Sequence, residues 1–149
     1  MCSRGREDLR FAIYDLRFTR LRQTDHAEPV MTREEMKART KAYANRVVKP
    51  CAALPHNWIA RTLGSQLLRS GTSVGANYRA VWRAKSTSDF INKLRIVEEE
   101  CDESLFWMEL LVDNSLVKPS RLAGLMTEAD EILAIVVSSA KTARTSRSA

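Results

Sequence analysis

The chain of 149 residues is short of the residues that break helices and of those that bind metals. It has five glycines and four prolines, while Ala, Leu, Arg, Glu and Lys are frequent. That balance disfavours a turn-rich β architecture and favours helix. Three cysteines, Cys2, Cys51 and Cys101, stand far apart with no C-x-x-C among them, which excludes a disulfide framework. His26 and His56 are the two histidines, too few for a zinc site. Reduced thiols follow, with Cys51 and Cys101 packing as small hydrophobes. No apolar run reaches the roughly 18 residues of a membrane span, and the N-terminus lacks the apolar segment of a secretory signal. A soluble, cytoplasmic protein with no membrane partner is expected. An apolar content of 44% over this length is one ordinary domain with a real core.

Charge is distributed unevenly. Residues 31 to 85 carry 11 basic and 2 acidic groups, residues 86 to 131 carry 4 and 11, and residues 132 to 149 carry 3 and none. Such a division suits either a polyanion-binding surface or oppositely charged helical faces that meet within or between subunits.

Periodicity predicts four amphipathic helices. The first covers 32 to 49, with Thr32 as N-cap, Glu35 three residues on, and Met36, Thr40, Tyr43 and Val47 as its apolar stripe. Pro50 should end or kink it, and residues 54 to 57 read as a loop. The second runs from Trp58 to about Ala84 on a stripe of Ile59, Leu63, Leu67, Val74, Tyr78 and Val81 or Trp82. The third has its N-cap within Ser86–Asp89 and a stripe from Phe90 through Leu94, Val97, Cys101, Leu105 and Met108 to Leu111 or Val112. Asn114 and Ser115 break it. Pro119 suits the first turn of the fourth, which carries Leu122, Leu125 and Met126, Ala129, Ile132 and Leu133, Val136 and Ala140 before a fraying tail. Short connections make neighbours antiparallel, so the fold class is all-α: an up-down-up-down four-helix bundle over residues 31 to 144. Residues 145 to 149 are a disordered tail. Residues 1 to 30 stand outside this scheme, as a disordered extension or the product of a start site placed upstream of Met31 or Met36.

Gly71-Thr72-Ser73-Val74-Gly75 matches the G-x-S-x-G pattern of a hydrolase nucleophile elbow. An elbow needs a strand before the serine and a histidine after it; here the serine lies in a helical stripe and both histidines stand upstream. No catalytic role is assigned to Ser73. Gly64, Ser65, Ser70, Gly71, Ser73, Gly75, Ala76 and Ala80 keep the second helix thin, which permits close approach of another backbone, while Gly71 can equally mark a kink. The carboxylates Glu98, Glu99, Glu100, Asp102, Glu103, Glu109 and Asp113 on the third helix invite a di-iron centre, which would require histidines those helices lack. No metal or cofactor is expected. The second helix offers partners for these acids in Arg61, Arg69, Arg79, Arg83 and, just beyond, Lys85; Arg79 and Arg83 are one turn apart, as are Glu99 and Glu103, so matched rows of pairs are geometrically possible.

The basic residues Arg39, Lys41, Arg46, Lys49, Arg61, Arg69, Arg83, Lys85, Lys141 and Arg144 are candidates for phosphate contact. Gly71, Ser73, Gly75, Asn77, Arg79, Glu99 and Glu103 are candidates for a subunit or inter-helix contact. Trp58, Tyr78, Trp82, Phe90, Phe106 and Trp107 fall on or beside apolar stripes and read as core or interface, with Trp82 or Trp107 free to anchor a subunit contact.

"LGSQLLRSGTSVGANYRA", followed by "RAKS", "DF", "KL", "IVEEE", "DES" and "FW", resembles the four-helix-bundle proteins of the 23S rRNA intervening-sequence family, from about Met31 to Arg144. In that family a segment matching Ser73-Val74-Gly75-Ala76-Asn77 recurs in helix two and a glutamate matching Glu103 in helix three. This chain departs from it at Arg79-Ala80-Val81, where many members have Ala-Glu-Gly, at Glu99-Glu100, where many have Gly-Ser, and at Pro50. The resemblance implies a non-enzymatic homo-oligomer, a pentameric ring, with RNA or DNA as partner. A related protein is an accessory to the reverse transcriptase of diversity-generating retroelements, which implies a reverse transcriptase or another protein as a further partner. The reading from charge alone leaves a second course open, a protein-binding scaffold with no nucleic-acid role.

Overall fold

The computed structural model describes residues 31–147, and every regular element among them is a helix. They are α1 (Arg33–Ala52), α2 (Trp58–Val81), α3 (Thr87–Asp113) and α4 (Pro119–Arg147). The expectation for residues 1 to 30 lies outside the described residues. The chain divides into two compact units between Ala38 and Arg39. The described part of the first holds the start of α1, where Glu35 N–H donates to Thr32 Oγ1 at 3.2 Å and Thr32 N–H to Glu35 Oε2 at 2.6 Å. This is the capping box that the spacing predicts.

In the second unit the rest of α1 and the other three helices form the antiparallel bundle. α2 packs on α3 and α3 on α4. Each start and stop has a local cause. Asn57 caps α2 by accepting from Ala60 N–H, and Ser86 caps α3 by accepting from Asp89 N–H. α3 ends with Ser115 in the left-handed region at φ 57°, with Leu116 N–H donating back to Leu111 O at 2.9 Å and Ser115 N–H to Val112 O. Glycine usually occupies that position.

The core of the second unit is the line of Tyr43, Val47, Leu67, Val74, Leu94, Val97, Met108, Leu111, Leu122, Ile132 and Val136, all essentially inaccessible. Three sequence expectations shift. α1 continues through Pro50 to Ala52, because a proline so near the end removes one helical bond and few residues follow it. α2 stops at Val81, with Trp82 as its C-cap, three residues before the expected end. α4 runs to Arg147, past the last large apolar side chain, and Ala140 and Ala143 stay buried on its inner face.

The buried face of α2 follows the expected stripe through Leu67, Val74, Tyr78, Val81 and Trp82, and departs from it in the first turns. Ile59 is 45% exposed and Leu63 half-buried, whereas Ala60, Gly64, Ser70, Gly71 and Gly75 are buried. Small residues broaden this face beside the large ones. A Cβ on Gly75 would lie 3.0 Å from the carbonyl oxygen of Thr40, and one on Gly71 would lie 2.7 Å from Val47 Cγ2. Of the two readings of Gly71, close packing against α1 is the one observed, within a helix that continues unbroken.

Candidate functional site

Ser73 lies mid-helix in α2, half-buried, with its neighbours in regular helical conformation. The groove of about 300 Å³ at the α1–α2 connection is lined mostly by apolar groups, including Val48, Leu54, Ala60 and Leu68, together with Cys51 and His56. Cys51 donates to Gly64 O at 3.5 Å and Cys101 to Ala129 O at 3.3 Å. Burial is the main cause that pushes these thiols up, to about 11 and about 12, so both stay protonated and pack as small hydrophobes. Among the described residues no three His, Cys, Asp or Glu side chains converge as a metal site would require.

The polar chemistry therefore lies in the charged residues, and the bundle sorts these into three groups. In the first, α1 reaches α4: Arg39 Nε donates to Glu128 Oε1 at 2.6 Å, its other nitrogen also meets Glu131, and Arg46 donates to Gly124 O at 2.9 Å. Two of the candidate phosphate contacts are thus committed to intramolecular partners.

In the second, Arg69 of α2 bridges Glu100, at 3.2 Å, and Glu103 of α3. Glu103 also accepts from Trp107 Nε1 at 2.9 Å, and Trp107 holds Phe106 edge-on at a centroid distance of 5.0 Å. The Arg69 guanidinium first, and the indole second, hold the Glu103 carboxyl below its ordinary range. The expected pairing of Arg79 and Arg83 with Glu99 and Glu103 is not the one formed. Antiparallel register sets residue 69 level with 100 to 103, which carries Arg79 and Arg83 beyond the acidic run, and leaves Glu99 exposed.

The third group consists of cations with no such partner. Arg79, Arg83 and Lys85 are exposed at the C-terminal end of α2 and in the turn that follows. Cys101 meets Ala129, so continuing that antiparallel register sets Ser86 level with Arg144, and Lys141 and Arg144 emerge at the same end of the bundle. Arg79, Arg83, Lys85 and Lys141 make no ion pair among the described residues. The carboxylate of Asp89, the nearby acid, accepts from the backbone N–H of Lys85 at 2.9 Å and pairs with Lys93 at 3.7 Å. Lys41, Lys49 and Arg61 are exposed elsewhere on α1 and α2.

Among the candidate contact residues, Gly71 and Gly75 serve helix packing inside the chain, and Ser73 and Asn77 are half-buried beside them. Trp82 is buried and edge-on to Tyr78 and Phe90, so it belongs to the core, and Trp107 is tied to Glu103. Among the described residues, the aromatics left in the open are Trp58, 75% exposed, and Phe106, 49% exposed.

The model of the family described as 23S rRNA-intervening sequence protein matches residues 34–138. The chain belongs to that family. It is also similar to a solved structure from Bacteroides thetaiotaomicron, a protein of unknown function from the S23 ribosomal protein family. The two are 32% identical, with a TM-score of 0.68, over 73% of this chain and 97% of the other. No curated protein matches. The matched span of the family begins at the first turn of α1 and ends within α4, so it contains the three charge groups described above except the last basic turns of α4.

Proposed function

We propose that this protein is a non-catalytic, ring-forming member of its family that binds nucleic acid through the basic end of the bundle. The observation that carries the reading is the separation of its cations into paired and unpaired sets. Arg39, Arg46 and Arg69 are held by carboxylates or carbonyls of neighbouring helices, while Arg79, Arg83, Lys85 and Lys141 make no ion pair among the described residues, and Asp89, the acid beside them, is paired with Lys93. Unpaired cations gathered at one end attract phosphates and release their counterions, whatever the base sequence. The family description, with its 23S rRNA, favours RNA over DNA as the first probe.

The test is the binding of a labelled, structured RNA hairpin to the full chain, followed by fluorescence anisotropy as salt is raised. Arg79→Glu with Arg83→Glu should weaken binding at least tenfold at low salt and flatten its salt dependence. Wild-type affinity in the double variant would sink the assignment of this end. The scaffold reading is favoured by a different observation, the large apolar groups exposed on α2 and α3, and a chain that assembles but ignores RNA at low salt would leave that reading in place. A role beside a reverse transcriptase fits either course.

A further inference from the structure

We propose that the groove at the α1–α2 connection docks an amphipathic helix of another protein, one whose apolar anchors are flanked by acidic residues, a role that goes beyond nucleic-acid binding and does not rest on it. The groove, of about 300 Å³, is lined by α1, the connection and α2 alone. Val48 and Leu68 line it while remaining 46% and 39% exposed. Trp58 and Ile59, 75% and 45% exposed, immediately precede Ala60 and Arg61 in its wall. Four of the seven large apolar side chains exposed among the described residues thus gather at one end of the bundle. The floor is fixed, because Leu54 lies where a Cβ on Gly64 would meet its Cδ1, and Cys51 donates to Gly64 O. Exposed apolar groups concentrated on a formed groove mark an interaction surface.

The chemistry of the partner follows from what the walls offer. They are helices, whose backbone groups are bonded within each helix, so they present no sheet edge to an extended peptide. A segment that docks here must satisfy its own backbone, and a helix does so. Its side chains at i, i+3 or i+4 and i+7 form the apolar stripe that enters such a groove.

Charge sets the flanks. From residue 36 to residue 88 the chain has no Asp or Glu. Arg61 in the wall and Lys49 beside Val48 are exposed and make no ion pair among the described residues. They favour carboxylates at the edges of the partner and disfavour basic flanks. The mostly apolar lining disfavours the phosphate backbone of RNA, and a flat bilayer cannot fill a concave groove. Trp58 and Arg79 stand about 30 Å apart along α2, which leaves the basic end open while the groove is filled.

The experiment is fluorescence anisotropy with the full chain and two labelled synthetic peptides of about 15 residues, long enough to form a helix. Both carry one stripe of Leu and Phe at helical spacing, flanked by Glu in the first and by Lys in the second. The Glu peptide should bind saturably and the Lys peptide about tenfold more weakly or worse. Leu68→Glu, at an exposed position, should weaken the Glu peptide by a similar factor while circular dichroism stays helical. Arg61→Glu should erase the preference between the peptides. Binding should also shift the emission of Trp58 to shorter wavelength, since Trp82 is already buried and Trp107 is bonded to Glu103. A Glu peptide that does not bind, that binds no better than the Lys peptide, or that binds Leu68→Glu as well as wild type overturns the proposal. Displacement of the Glu peptide by the RNA hairpin or by phosphatidylglycerol vesicles overturns it too, and so does a Leu68→Glu chain whose mass falls in light scattering while the wild type ignores the peptide, which would give the groove to a second copy. Arg79→Glu with Arg83→Glu should leave peptide binding intact, so this site and the nucleic-acid reading fail separately.

Discussion

At the scale of single residues, the same residue type does opposite things in two places. Gly75 lies where a Cβ would press on the Thr40 carbonyl, a backbone atom that cannot swing aside. Gly75→Ala should cost about 1 to 3 kcal/mol through overpacking, more than the helix propensity that alanine returns. Gly124 is exposed on α4, and a Cβ there would lie 3.5 Å from the Arg46 guanidinium, an ordinary contact with a flexible side chain. Gly124→Ala should stabilise by up to about 1 kcal/mol. Chemical denaturation of both variants checks the pair, and the two changes should differ in sign. A second residue-level consequence concerns the buried hydrogen bond between Tyr43 and Ser104, 2.7 Å long. Ser104 donates its proton to Cys101 O, so Tyr43 is the donor between the two. Tyr43→Phe should cost about 1 kcal/mol, while Ser104→Ala leaves a buried phenol unsatisfied and should cost about 1 to 3 kcal/mol. Equal losses in the two variants would contradict that proton assignment.

At the scale of elements, the α2–α3 contact carries a pH dependence. The folded chain holds Glu103 below its ordinary 4.5, chiefly through Arg69. A depressed carboxyl contributes stability above its unfolded pKa and loses it as pH falls through the folded value. Thermal melting of Glu103→Gln should therefore lie below that of the wild type at neutral pH, with the gap closing as pH drops below 4.5. The effect is small, because Arg69 is half exposed and water screens the pair.

The elements themselves were legible in the sequence because periodicity and capping are local. Thr32 with Glu35, Ser86 with Asp89, and the stripe from Phe90 to Leu111 are each written within a few turns of chain. What was not legible is relational. The inner face of α2 was legible from Leu67, Val74, Tyr78 and Val81, but not in its first turns, where Ala60 and Gly64 turn inward in place of Ile59 and hydrophobicity gives glycine no direction. The partner of Glu103 was legible only as one of several arginines of α2, for a similar reason. Arg69, Arg79 and Arg83 all qualify by type, and the register of α2 on α3 decides among them.

At the scale of the whole molecule, the charge division visible in the sequence resolves into two uses. Acids of α3 and α4 take up Arg69 and Arg39, and Arg79, Arg83, Lys85 and Lys141 make no ion pair among the described residues. The basic first half and acidic third quarter of the bundle were legible from composition. Which cations stay free was not, because Arg39 and Arg83 look alike in one dimension.

The central claim is that these free cations bind phosphate. The most direct measurement is the salt dependence of RNA-hairpin binding by the full chain. With about four cations engaged per protomer, log affinity should fall against log salt with a slope of about −3 to −4, and Arg79→Glu with Arg83→Glu should roughly halve it. Binding that is absent at low salt, or a slope unmoved by that double change, would contradict the account.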